Sequence, residues 1–154
     1  MKKIGIFYGS TSGYTADVAN RIAKALGVEA KDVYDVSVTA PSALGGYDVI
    51  LLGSSTWGNG DIQDDFADFL DGIEALALPG KTVAVFGCGD ENMGDNFGAA
   101  IGKIYDRMRR TGAELRGRFE GYSADKEFDG LIIDQMNHAD LTDSRIQAWV
   151  EKIK

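Results

Sequence analysis

The feature that most constrains this chain is residues 4–18, where an apolar run stops at a glycine and resumes, beyond a hydroxyl-rich turn, at helical spacing. Ile4, Ile6 and Phe7 make up the run. Strands of a parallel sheet, covered on both faces, read as such runs rather than as strict alternation. Gly9 ends it; Ser10, Thr11, Ser12, Gly13, Tyr14 and Thr15 follow, and Val18, Ile22 and Leu26 then recur on one helical face. The turn therefore joins the carboxyl end of a strand to the amino end of a helix. Unpaired N–H groups and the positive end of the helix dipole favour an anion there. The hydroxyls of Ser10, Thr11, Ser12 and Thr15 add donors, and Gly13 permits close backbone approach. No lysine or arginine lies between Lys3 and Arg21. A phosphate held by neutral donors alone suits a retained phosphomonoester better than a triphosphate awaiting transfer. A Walker-type loop is excluded by the missing lysine, and the lack of G-x-G-x-x-G argues against a dinucleotide site. Helix capping by serine or threonine would account for the same residues; what favours phosphate is a pair of later loops, also at strand ends.

The rest of the chain alternates strand and helix. Residues 28–36 read as a more polar strand near an edge, 47–53 as a central apolar strand, and 61–73 as a helix with Phe66, Phe69, Leu70 and Ile73 on one face. Residues 81–87 form a fourth strand, and Phe97, Ile101, Ile104, Tyr105 and Met108 line the next helix. A fifth strand begins at 113–116 and resumes at 130–134, after a polar insert over 117–129. The last helix carries Ile146, Trp149, Val150 and Ile153 in one stripe, with Asp140 or Thr142 as its cap. Such alternation predicts a parallel sheet with right-handed crossovers and helices on both faces. At 154 residues, with no repeat or linker, the chain reads as one domain, 1–154.

Ligands of such sheets bind beyond the carboxyl ends of the strands, and two further loops are placed there. The first holds Ser54, Ser55, Thr56, Trp57, Gly58, Asn59 and Gly60. Trp57 among glycines and hydroxyls either packs beneath the loop or covers a planar ring by offset stacking. Gly58, Asn59 and Gly60 tolerate more than one turn geometry. The second runs from Cys88 through Gly89, Asp90, Met93 and Asn96 to Phe97. Its amides suit the edge of a heterocycle, while Asp95 or Asn96 equally suits a helix cap.

Composition narrows the function. A net charge of −8 argues against nucleic acid and anionic membranes and is compatible with a basic protein partner. No apolar run approaches a membrane span and no signal peptide is evident. The single Cys88 forms no internal disulfide, which fits a reducing cytoplasm. His138 reads as a surface residue, and no metal-ligand cluster is evident.

Taken together, Ser10 to Thr15, Ser55-Thr-Trp-Gly58, Gly87-Cys-Gly-Asp90 and Asp95-Asn-Phe97 make the chain resemble the flavodoxin family along essentially its whole length. The tail residues Gly130 to Asp134 and Leu141 to Trp149 look like the same family. The resemblance implies a flavodoxin-like α/β fold, a doubly wound five-stranded parallel sheet of order 2-1-3-4-5. It also implies bound FMN, with the phosphate on Ser10, Thr11, Ser12, Gly13, Tyr14 and Thr15. Ser55, Thr56, Trp57, Gly58, Asn59 and Gly60 would form one ring loop, and Cys88, Gly89, Asp90, Met93, Asn96 and Phe97 the other. In the family, the carbonyl at the position of Gly58 turns to accept from flavin N5–H, favouring a neutral semiquinone between the oxidised and anionic hydroquinone states.

The implied function is that of a low-potential one-electron carrier between basic-surfaced redox proteins: a cytoplasmic monomer and not an enzyme. Two departures stand out. No aromatic precedes Phe97 in the third loop, where the family commonly places a tyrosine, so Met93 is the nearest candidate cover. The insert over 117–129 is shorter than the usual long-chain one. Asp61, Asp64, Asp65, Asp68, Asp71 and Glu74, followed by Asp90, Glu91 and Asp95, predict a negative cofactor end that resists a second electron. The main alternative is an FMN-dependent NAD(P)H:quinone reductase of the same fold. A phospho-receiver domain of the same topology is excluded, since Gly9-Ser10 and Ser54-Ser55 stand where it needs acidic residues.

Overall fold

Three central strands hold the molecule together because each alternates its side chains between two apolar layers. They are β1 (Ile4–Gly9), β3 (Val49–Trp57) and β5 (Thr82–Cys88). Phe7, Ile50, Leu52, Val83 and Val85 face one layer, with Phe66, Phe69, Leu70, Ile73, Ile104 and Met108. Ile6, Val49, Leu51, Ala84 and Phe86 face the other, with Val18, Ile22, Ile146, Trp149 and Val150. Both faces are covered, which is why these strands read as unbroken apolar runs. Full burial of each such side chain contributes about 1.5–3 kcal/mol before chain entropy is counted.

The computed structural model describes residues 3–10, 13–57, 61–88, 103–104, 107–116, 131–133 and 142–153. Beside the central strands lie β2 (Val33–Asp35), β4 (Asp61–Ile62), β6 (Glu114–Arg116) and β7 (Leu131–Ile133). The sheet order is β2-β1-β3-β5-β6, parallel throughout, with β4 antiparallel on β3 and β7 parallel on β5. Helix α1 (Tyr14–Leu26) leads from β1 to β2, and α2 (Asp64–Ile73) leads from β4 to β5, in the opposite direction across the sheet. Crossovers of one hand then put the two helices on opposite faces. α3 (Thr142–Ile153) packs in the same layer as α1. Arg21 pairs with Asp17 within α1 (2.9 Å) and with Asp143 across to α3 (2.8 Å); both ion pairs are exposed and contribute little to stability.

Several element bounds differ from the sequence expectation. The edge strand is confined to Val33–Asp35 because residues 30–32 form a single 3-10 turn before it. β3 continues to Trp57 rather than ending at Gly53, because it folds back on β4 with Thr56 opposite Ile62 and Trp57 opposite Asp61. Asp61 and Ile62 consequently belong to a hairpin, and the helix expected from residue 61 begins at Asp64. The fifth position is filled by two segments laid end to end along β5. Thr82 to Ala84 pair with β6, and Phe86 to Cys88 pair with β7, so the strand does resume beyond the insert.

Candidate functional site

The parallel register sets the ends of β1 and β5 level with Ser54 and Ser55 of β3, where its parallel pairing stops. Gly9 pairs with Ser54, Ser54 with Gly87, and Ser55 with Cys88. The segments leaving β1, β3 and β5 therefore start from a single rim, between helices on opposite faces. An open α/β sheet has its binding crevice at such a reversal of strand order.

In the first of these segments, Ser10 Oγ accepts the N–H of Gly13 at 3.1 Å. Gly13 precedes α1 in left-handed backbone geometry, φ 93° and ψ −10°. It has no side chain to cap the helix, and its carbonyl accepts the N–H of Asp17 at 3.0 Å to begin the helical ladder. Thr15 is fully buried beneath the turn, whereas Tyr14 is 42% exposed. A thirteen-residue helix opening on a glycine, beside a hydroxyl and without a lysine or arginine within the turn itself, is a donor set that fits a phosphomonoester. One residue inside the rim, burial and then Asp35 push the Tyr8 hydroxyl above the usual tyrosine value, keeping it neutral.

The second segment is rooted by a contact that the sequence reading overlooked. Ser54 Oγ accepts the backbone N–H of Gln63 at 3.1 Å, tying together the two chain ends just outside the antiparallel pair of β3 and β4. Gln63 is buried and caps α2: its Oε1 accepts the N–H of Phe66 at 2.9 Å, and its Nε2 donates to Asp65 Oδ2 at 3.0 Å. The available signal was the acidic pair Asp64 and Asp65, typical of a first helical turn. Ser55, Thr56 and Trp57 are strand residues of β3, and Cys88 closes β5 at the same rim. Thr11, Ser12, Gly58, Asn59, Gly60, Gly89, Asp90, Met93, Asn96 and Phe97 lie outside the described residues, as do Glu91, Asp95 and His138.

The acidic run divides along α2. Asp64 and Asp65 stand exposed in its first turn, near the rim. Asp71 and Glu74 are at the far end, where Arg107 donates to them at 2.5 and 2.7 Å. That arginine holds the Glu74 carboxyl below its usual range, so these two acids do not charge the rim. An open groove of about 620 Å³ between α1 and α3, lined by Arg21, Lys24, Asp143 and Gln147, includes none of the candidate residues. Among the described residues no cluster of His, Cys, Asp and Glu would hold a metal, and no helix is long and apolar enough to cross a membrane.

A family model described as Flavodoxin matches residues 6–149. Flavodoxin 1 of Azotobacter vinelandii is 41% identical over 97% of this chain and 94% of its own length. Flavodoxin of Klebsiella pneumoniae is 37% identical over 99% and 93%. The crystal structure of Fusobacterium nucleatum flavodoxin bound to flavin mononucleotide superposes with a TM-score of 0.85 at 26% identity, covering 99% of this chain and 97% of that one. Oxidised Flavodoxin 2 from Bacillus cereus gives 0.77 at 31% identity, over 97% and 96%.

Proposed function

The chain belongs to the flavodoxin family, and we propose that its three rim segments grip FMN so that it carries single electrons between redox proteins. It is an electron carrier and not an enzyme. The supporting observation is the shared level of Gly9, Ser54 and Gly87, which starts all three segments at one crevice.

Ser10, Thr11, Ser12, Gly13, Tyr14 and Thr15 hold the phosphate, through hydroxyls and the first N–H groups of α1. The hairpin residues Ser55, Thr56, Trp57, Gly58, Asn59 and Gly60 take one side of the ring, with the Trp57 indole against it. Cys88, Gly89, Asp90, Met93, Asn96 and Phe97 take its other side and edge. Bound FMN supplies the redox chemistry, accepting electrons one at a time. The chain's part is to hold the ring, exclude water and set the surrounding charge. Asp64 and Asp65 near the rim make a further negative charge there unfavourable, which lowers the second potential. The same acids steer a partner with a basic surface, so electron transfer weakens with added salt. The chain works as a monomer in the cytoplasm, where a lone cysteine stays reduced.

A visible spectrum recorded during stepwise reduction tests this. The expected result is a long-wavelength band that builds and then fades, with no steady turnover of NADH and a quinone. Direct passage from the oxidised to the fully reduced spectrum would overturn the carrier assignment.

A further inference from the structure

We propose that Gln63 is a positioning residue for the cofactor: it locks the ring-side hairpin to the strand that leads into the phosphate turn. The inference rests on the FMN assignment above and adds a residue that assignment does not include.

Capping α2 alone needs only a short acceptor, and serine, threonine, asparagine or aspartate serve best at such positions. Gln63 is longer than the task requires, and the extra length spans Gly9. A Cβ built on Gly9 would lie 2.3 Å from Gln63 Oε1 and 2.9 Å from the Cβ of Phe66. The amide thus occupies the space that any larger residue at the end of β1 would take, one position before Ser10. Its backbone N–H meanwhile closes the hairpin onto Ser54, and its side chain starts α2 through Phe66 and Asp65. One buried residue therefore touches the end of β1, the root of the hairpin and the helix behind it. With these roots held, the segments leaving β1 and β3 start from fixed positions relative to each other. Such preorganisation strengthens binding without a new contact to the ligand.

The test compares wild type with Gln63→Ser, which keeps a capping acceptor but cannot span Gly9, and with Ser54→Ala, which removes the root bond and keeps the cap. Each apoprotein is titrated with FMN, its melting followed, and both midpoint potentials measured after loading. We expect Gln63→Ser to melt as a folded protein yet bind FMN roughly five- to tenfold more weakly, the scale of one lost neutral hydrogen bond. Ser54→Ala should do the same, and both should narrow the separation of the two potentials. If both variants match wild type in affinity and in that separation, Gln63 is a helix cap only and the proposal fails. A wild-type protein that refuses FMN would instead overturn the cofactor assignment itself.

Discussion

The ring of Phe86 on β5 lies across Gly53 on β3, its register partner, so closely that a Cβ at Gly53 would stand 2.2 Å from the ring. Trp149 of α3 meets the same ring edge-on at 6.2 Å and 64°. A glycine inside a central strand is costly unless something must approach closely, and here the aromatic layer under α3 does so. Gly53→Ala should cost about 1–3 kcal/mol through forced repacking, read as a lower urea midpoint with unchanged slope. A midpoint equal to wild type would mean that Phe86 swings away freely.

Tyr47 anchors the opposite end of the sheet. Its hydroxyl donates to Asp32 Oδ1 at 2.7 Å and lies 2.5 Å from the hydroxyl of Tyr34. Burial first, then these two neighbours, push its pKa well above the ordinary tyrosine value of 10.0. A folded pKa above the unfolded one contributes stability fully present below the unfolded value and lost as pH rises toward the folded one. Stability should therefore fall as pH climbs beyond about 10. Tyr47→Phe should flatten that decline and cost about 1–3 kcal/mol near neutrality through the unpaired partners. An unaltered alkaline slope in the variant would place the titration elsewhere.

Gly13 is constrained by backbone rather than by space. At φ 93° a side chain would be strained, although nothing lies within 4 Å of where its Cβ would point. Gly13→Ala should cost about 1–2 kcal/mol in thermal unfolding. Because the N–H of Gly13 is tied to Ser10, the same change should weaken FMN more than riboflavin, which lacks the phosphate. Equal losses for the two ligands would remove this turn from the phosphate site.

The two ends of α2 should behave differently. Arg107 lowers the Glu74 carboxyl, mainly by its hydrogen bond, from an ordinary value of 4.5. A lowered folded pKa contributes stability present above the unfolded value and lost as pH falls through the folded one. The stability gap between wild type and Glu74→Gln should thus close as pH drops below about 4.5, with both reduction potentials unchanged. Neutralising Asp64 and Asp65 with asparagine should instead raise the second potential and weaken the salt dependence of electron transfer to a basic partner. Equal effects from both ends would mean that the charge acts over the whole surface.

Periodicity along the chain determined the fold class, the rough places of five parallel strands, the interrupted fifth strand and the rim from which three segments leave the sheet. These follow from apolar spacing and from where glycine and hydroxyl residues break it, which are local properties of the chain. Only the tertiary structure decided that β3 runs on to Trp57 and turns back at Asp61, because strand propensity there depends on a partner that the local sequence does not reveal. It alone brought Gln63 over Gly9, fifty-four positions away in sequence. It also drew Asp71 and Glu74 out of an acidic run by supplying Arg107 from a distant segment. Contacts between residues far apart in the chain are set by register and crossover geometry, and neither is written in the spacing of any single segment.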